Sequence, residues 1–224
     1  MRTVLVTGGT RGIGRAVVER LAPTWRVVIG GRDAAAVAEA VARHPHATGF
    51  VADLTDPDAV ARAVAGLGDL DAVVHSAGTV AHGPATSQSW EQWRRVLDLN
   101  VIAVAELTRL LLTRLRASHG QVVVINSGAG FTARPGNAVY AASKFALRAW
   151  SDALRAEESG ALRVSSVHPG RVDTDMQREL QAAEGREYDT TGVMSVEAVA
   201  TAVVFALEAP SDACIETVSV RPAR

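Results

Sequence analysis

The sequence predicts a doubly wound α/β fold, a seven-stranded parallel sheet with helices on both faces. Short apolar, β-branched runs alternate with longer alanine-rich amphipathic stretches along the whole chain. Most of these runs are continuous rather than alternating in and out, as strands are when a parallel sheet is covered on both faces. A glycine-rich turn, Thr7-Gly8-Gly9-Thr10-Arg11-Gly12-Ile13-Gly14, follows the first run at once and opens the first helical stretch.

Taken in order, the strands are predicted at 4–6, 26–29, 48–51, 72–75, 122–126, 163–167 and 216–220, each built on Val, Ile, Leu or Phe. The helices fill the gaps at 13–21, 33–43, 56–67, 90–115, 138–158 and 196–207. Asp33, Asp56 followed by Pro57, and Ser195 fit helix starts, because their side chains accept from free N–H groups and proline suits the first turn. Strand and helix in alternation mean a doubly wound sheet. The stretch 170–194 is the least regular, and a loop is expected there. It would lie at the carboxyl edge of the sheet, where this architecture binds ligands.

At 224 residues the chain reads as one domain, 1–224. A net charge of -1 and a pI near 6.6 come with no basic stripe, which argues against a nucleic-acid or membrane-surface protein. The most apolar stretch, 97–115, is broken by Asp98, Asn100, Glu106, Arg109 and Arg114 and makes a poor membrane span. The single cysteine, Cys214, allows no internal disulfide, and no zinc or other metal site is expected. It is expected to fill the core as a small hydrophobe. The first strand begins almost at the first residue, so no targeting segment is expected and a cytoplasmic setting fits.

Of 23 lysines and arginines only one is a lysine, Lys144, four residues after Tyr140. Four residues is about one helical turn, so the two side chains share a helix face. An ammonium is a compact point charge, whereas a guanidinium is a wide planar fork that almost never loses its proton. The pair alone is equally compatible with a solvated surface lysine.

The glycine turn offers a backbone that can approach a ligand closely and a helix N-terminus that can receive a pyrophosphate. Its place between the first strand and the first helix strengthens that reading over a bare tight turn. Dinucleotide sites that prefer NAD have an acid at the end of the second strand. Here Gly31 stands at that point and Arg32 follows it, with Arg11 in the turn itself. Two arginines and no carboxylate favour the 2′-phosphate of NADP over NAD. The adjacent Asp33 reads as a helix cap.

With these motifs in hand the chain resembles the classical short-chain dehydrogenase/reductases from end to end, a Rossmann-type family. Thr7-Gly8 with Gly12 and Gly14 resembles its TGxxxGxG turn, and Asp53-Leu54 its adenine-contacting pair. His75-Ser76-Ala77-Gly78 falls where the family has Asn-Asn-Ala-Gly. Asn100, Ser127, Tyr140 and Lys144 match its catalytic set, and Pro169-Gly170 with Thr174 the segment that holds the nicotinamide. The resemblance implies a dinucleotide site made by Gly8, Thr10, Arg11, Gly12, Ile13, Gly14, Arg32, Asp53, Leu54, Ser76, Ala77, Gly78, Tyr140, Lys144, Pro169, Gly170, Val172 and Thr174.

A carbonyl reduction needs a hydride donor and a proton donor at the oxygen. Tyr140 is the expected general acid, and the base in the reverse direction. A free phenol titrates near 10, too high for an efficient base, and an ammonium one turn away lowers it. The resemblance adds that Lys144 binds the nicotinamide ribose, that Ser127 orients the substrate oxygen, and that Asn100 holds a water for proton relay. Taken alone, Ser127 reads as a turn cap and Asn100 as a polar helix residue. His75-Ser76 departs from the family pattern and is expected to change how that turn is braced. Gly128-Ala129-Gly130 predicts a wide substrate pocket, and Tyr188 a lid contact to the substrate. His82 and His168 tempt as acid/base groups, but His168 is expected to be structural. Trp90 and Trp93 are expected to pack on one helix face.

The long helices at 99–115 and 138–154 are apolar nearly all round and call for cover on two sides. A homodimer or homotetramer is expected. The substrate is expected to be a small carbonyl or alcohol. A non-catalytic dinucleotide sensor on the same fold is the alternative, which the full Ser127, Tyr140, Lys144 set disfavours. A sugar-nucleotide epimerase would need a further C-terminal substrate region.

Overall fold

The computed structural model describes residues 1–183, 185 and 187–223. Strands β1 (Thr3–Thr7), β2 (Arg26–Gly31), β3 (Thr48–Val51), β4 (Ala72–His75), β5 (Gln121–Ile125), β6 (Arg163–Pro169) and β7 (Thr217–Val220) form one sheet, ordered β3-β2-β1-β4-β5-β6-β7. Every pairing is parallel, as the continuous apolar runs predicted. All carboxyl ends therefore line one edge, and the order reverses between β1 and β4, which opens a crevice there.

The helices are α1 (Gly12–Leu21), α2 (Ala34–Ala42), α3 (Pro57–Ala65), α4 (Trp90–Leu97), α5 (Ala103–Ala117), α6 (Ala138–Glu157), α7 (Asp175–Ala183) and α8 (Val196–Leu207). Strand side chains alternate between two cores. Val4, Val6 and Ile29 pack with Val17, Leu21, Val203 and Leu207 on the α1/α8 face. Leu5, Val28 and Val73 pack with Val64, Leu107, Leu111 and Leu147 on the face of α3, α5 and α6. Leu107, Leu111 and Leu115 recur every four residues, make one stripe of α5 and are fully buried. Burial of each contributes about 1.5–3 kcal/mol.

The expected caps are in place. Asp33 accepts from the N–H of Ala35 and Ala36, Asp56 from Asp58 and Ala59, and Ser195 from Ala198. Ser89 and Gln92 form a reciprocal capping box at α4.

The structure departs from the sequence reading in four places. The helix expected at 90–115 is interrupted by a π turn, Asp98–Ile102, closed by the Ala103 N–H on the Asp98 carbonyl. Its cause is Asn100, whose side chain is held by the backbone of Thr79. The stretch 170–194 is not a plain loop, because α7 lies within it; residues 184 and 186 of that stretch lie outside the described residues. Cys214 is exposed rather than in the core. Of the two tryptophans, Trp93 packs against Val96, Ala81 and Val139, while Trp90 is 71% exposed. Among the described residues, no helix is long and apolar enough to cross a membrane, and no cluster of side chains could hold a metal ion.

The start of α1 is packed against its own turn. A Cβ on Gly14 would stand 2.2 Å from the Gly8 carbonyl oxygen, whereas one on Gly68 would meet nothing within 4 Å. Gly14→Ala is expected to lose roughly 1–3 kcal/mol by overpacking, and Gly68→Ala to stay near wild type. Urea midpoints of the two variants check this.

Candidate active site

The turn after β1 and the turn after β4 are tied together by one hydroxyl. Thr7 Oγ1 accepts the N–H groups of Ser76 at 3.0 Å and Ala77 at 3.1 Å. Gly8 has φ +63°, and a Cβ there would press on Ala77 at 3.0 Å, so only glycine lets the two turns meet. Arg11, at the start of α1, supplies no side-chain cap, which leaves the first N–H groups of the helix open to an anion. Gly9 donates to the Gly30 carbonyl at 2.9 Å, and a Cβ on Gly31 would reach Thr10 at 3.2 Å. Arg11 and Arg32 therefore flank one junction between the turn and the end of β2. Both are exposed, and Arg11 has a loose 3.8 Å pairing with Asp175.

Below this junction a cleft of about 860 Å³ runs along the carboxyl edge of β4, β5 and β6. Ile13, Ser76, Ala77 and Gly78 form one wall, and Ser127, Tyr140 and Lys144 another. Pro169, Gly170, Val172 and Thr174 line it as well, with Met176, Gln177 and Gln181 of α7 alongside. Of the residues expected to bind a dinucleotide, Gly8, Thr10, Arg11, Gly12, Gly14, Arg32, Asp53 and Leu54 lie outside the cleft proper. Asp53 is exposed and accepts from the backbone and hydroxyl of Thr55, which hold its carboxyl below the usual range, helped by Arg32.

The tyrosine and the lysine share one face of α6, as their spacing predicted. Lys144 is 6% exposed, and its Nζ donates to the Ile125 carbonyl at 2.8 Å, 5.8 Å from the centre of the Tyr140 ring. Burial pushes its ammonium down to about 8. Ser127 hydrogen-bonds the Tyr140 phenol and pulls its pKa down, but burial outweighs this and moves the phenol above its ordinary value. The expected lowering by Lys144 is thus not the governing effect in this structure. Ser127 also caps a short 3-10 turn, Gly128–Gly130, by accepting the Ala129 N–H at 3.1 Å.

Asn100 is buried away from the cleft. Its Oδ1 accepts the Thr79 N–H at 2.9 Å, and its Nδ2 donates to the Thr79 carbonyl at 2.9 Å and the Ser143 hydroxyl at 3.1 Å. Ser143 in turn donates to the Tyr140 carbonyl at 2.7 Å. The asparagine side chain therefore links the loop after β4 to the helix that carries Tyr140.

The departures from the family pattern have physical explanations. His75 turns inward, its Nε2 2.9 Å from Thr108 Oγ1. Thr108 donates its own proton to Val104, so His75 carries hydrogen on Nε2 and braces β4 against α5. Burial pushes it down to about 3. His168 is structural, as expected, with Nδ1 3.0 Å from the Ser127 carbonyl. His82 lies at the cleft wall with Nδ1 3.2 Å from Asn137 Oδ1. Tyr188 does not line the cleft; its hydroxyl donates to Asp173 at 2.5 Å. The space expected beside Gly128 is taken by Arg221, whose Nη2 lies 3.5 Å from where a Cβ would stand. Arg221, Arg134 and Phe131 line the cleft and were not picked out from the sequence. Their signal is three-dimensional, since Arg221 comes from the far end of the chain.

The chain belongs to the short-chain dehydrogenase/reductase family: the short chain dehydrogenase family pattern matches residues 2–185. It is an oxidoreductase of that family. It is 38% identical to 1-deoxy-11-beta-hydroxypentalenate dehydrogenase of Streptomyces arenae, over 92% of this chain and 79% of that protein. It is 32% identical to the 3-oxoacyl-(acyl-carrier-protein) reductase of Escherichia coli, over 80% and 77%. The closed form of serine dehydrogenase complexed with NADP+ superimposes with a TM-score of 0.92 at 27% identity, covering 98% of this chain and 94% of that one.

The depressed Lys144 ammonium has a stability consequence. The folded state releases this proton near pH 8, whereas the unfolded chain holds it to about 10.4, so the burial penalty is felt below pH 8 and relieved above it. Relative to Lys144→Met, the wild type is expected to gain on the order of 1–2 kcal/mol between pH 8 and 9.5. Denaturant unfolding of both proteins across that window measures the difference.

Proposed function

We propose that the protein is an NADP(H)-dependent oxidoreductase interconverting a carbonyl and an alcohol, with Tyr140 as general acid and base. The convergence of the Ser127 hydroxyl, the Tyr140 phenol and the Lys144 ammonium on one cleft, beside an uncapped helix start, carries this reading. The dinucleotide fits the residues present. The Gly8 and Gly14 contacts bring the backbone close, the first turn of α1 offers N–H groups, and Ser76 to Gly78 with Pro169 to Thr174 line the remaining path. When bound, it supplies the hydride.

The chain supplies the proton and the positioning. Ser127 orients the substrate oxygen toward Tyr140, which gives up its proton as the carbonyl is reduced. The fixed ammonium of Lys144 then stabilises the phenolate that remains. With the bound dinucleotide, Lys144 also holds the ribose hydroxyls. Asn100 acts at one remove, because its side chain is spent on Thr79 and Ser143. It fixes the π turn and, through Ser143, the backbone of Tyr140. Arg11 and Arg32, exposed at one junction with no acid on β2, support NADP over NAD. A non-catalytic sensor would have no use for the Ser127, Tyr140, Lys144 set. The outward-facing Ile102 and Phe145, 58% and 38% exposed, support a homo-oligomer covering α5 and α6. The exposed lone cysteine is compatible with a reducing, cytoplasmic setting.

Tyr140→Phe is expected to abolish NADPH-dependent reduction of a ketone and aldehyde panel while dinucleotide binding, read by fluorescence, persists. Lys144→Arg is expected to lose at least a hundredfold in kcat/KM, because a guanidinium does not fit the Ile125 site; a near wild-type rate would overturn the role given to the lysine. Arg32→Asp is expected to shift relative Kd from NADPH toward NADH by at least tenfold. Unchanged relative affinities would overturn the role given to Arg32.

A further inference from the structure

The cleft carries cations and no carboxylate. Among the described residues that line it are Arg134, Lys144, Arg171 and Arg221, and neither aspartate nor glutamate. The whole chain has a net charge of -1, so this bias is local and not compositional. The cations are not equivalent. Lys144 is engaged with Ile125 and Tyr140. Arg171 lies close enough to Tyr188 and Asp189 to lower the pKa of each. Arg134, on the segment between the 3-10 turn and α6, forms no ion pair among the described residues.

Arg221 is the one already set in position. It follows β7, so it reaches the cleft from the β5–β7 side, away from the glycine turn. Its Nη1 donates to the carbonyls of His168 at 2.5 Å and Val220 at 2.9 Å. Both acceptors are neutral, and Arg221 forms no ion pair among the described residues. The fork is fixed by these bonds, and Nη2 lies against Gly128, the residue after Ser127. The low pKa of His168 reports the same field: after burial, Arg148, Arg221 and Lys144 all oppose its protonation. Cations gathered in a cleft with low-dielectric walls concentrate an anionic ligand.

We infer that the substrate is a small oxo acid, or the matching hydroxy acid, whose carboxylate is received by Arg221 while its carbonyl or hydroxyl lies at Ser127 and Tyr140. This rests on the proposed carbonyl–alcohol reaction and adds the substrate class. A guanidinium offers in-plane donors that match the two oxygens of a carboxylate. The fork would pair with a phosphate as well, but a phosphate ester is held best where a helix N-terminus or a run of backbone N–H groups joins the cation, and the backbone groups that hold Arg221 are carbonyl acceptors. Arg134 adds charge from the segment above and strengthens attraction without fixing orientation.

Matched pairs test this: 2-oxo and 3-oxo acids against their methyl esters, with a panel of neutral ketones, all with NADPH. The wild type is expected to favour acid over ester in kcat/KM by at least tenfold, chiefly through KM, and the preference should shrink with added salt. Arg221→Met is expected to reduce the acid-to-ester ratio by about ten- to a hundredfold, the range for one charge-assisted pair. Arg221→Lys, which keeps a cation near the His168 carbonyl, is expected to retain part of the ratio and guards against a simple folding failure. Equal or better turnover of the esters by the wild type overturns the inference and leaves the proposed reaction standing. So does an acid-to-ester ratio unmoved in Arg221→Met. Turnover of no acid, ester or ketone overturns the proposed reaction, and the substrate class falls with it.

Discussion

The Lys144 ammonium, buried and donating to the Ile125 carbonyl at 2.8 Å, is the contact on which the cleft depends. It joins the middle of α6 to the carboxyl end of β5, the two elements that carry Tyr140 and Ser127. Among the described residues no carboxylate pairs with it, and burial accounts for the depressed pKa. A buried ammonium without a counterion is unfavourable, so its retention needs a reason outside stability. The proposed chemistry gives one: a positive charge fixed near a phenol has its full effect only when the phenol becomes a phenolate. A carboxylate partner would make the site more stable and cancel that effect.

The rest of the site consists of backbone held by side chains. Thr7 fixes the turn after β4 from one side, and Asn100 fixes the following residues from the other. Each uses side-chain atoms to satisfy peptide groups that no strand or helix satisfies, as buried backbone requires. The π turn is the structural cost of the Asn100 contact. An unbroken helix over 90–115 would rotate the residue away from Thr79. Because Asn100 also reaches Ser143, the loop that lines one wall and the helix that forms the other are coupled through one amide.

The sheet was legible in the sequence because most of its strands, the central β1, β4 and β5 above all, are continuous apolar runs bounded by polar or glycine residues, as parallel strands buried on both faces require. The capped helix starts were legible for the same local reason. Gly30 and Gly31 extend β2 because backbone pairing with Phe50 and Val51 does not depend on side chains. The π turn was illegible, since its cause is a contact with a residue 21 positions away. Helix α7 was illegible because its stretch carries few apolar residues, and it rests on the edge of the cleft instead of the core. Lys144 and Tyr140 were found by composition and spacing, and Ser127 through the family resemblance, but their environment was not. Spacing placed an ammonium near a phenol; only the fold showed that burial raises the phenol above its ordinary value despite the Ser127 hydrogen bond.

His168 shows how the cations and the polar backbone constrain each other. Its Nδ1 faces the Ser127 carbonyl, which can only accept, so Nδ1 carries the hydrogen. Nε2 is then the bare nitrogen, sealed without a partner among the described residues, with Phe131 tilted against the ring at a centroid distance of 4.3 Å. Protonation would bury a further charge beside Arg148, Arg221 and Lys144, and both burial and these cations push its pKa down. Burial and these cations therefore favour the neutral ring, in which its one hydrogen bond keeps a single sense. A carboxylate bound at Arg221 would ease the field but add no acceptor at Nε2. The Ser127 backbone is thus held by a histidine whose neutral form is favoured first by burial and then by the neighbouring cations.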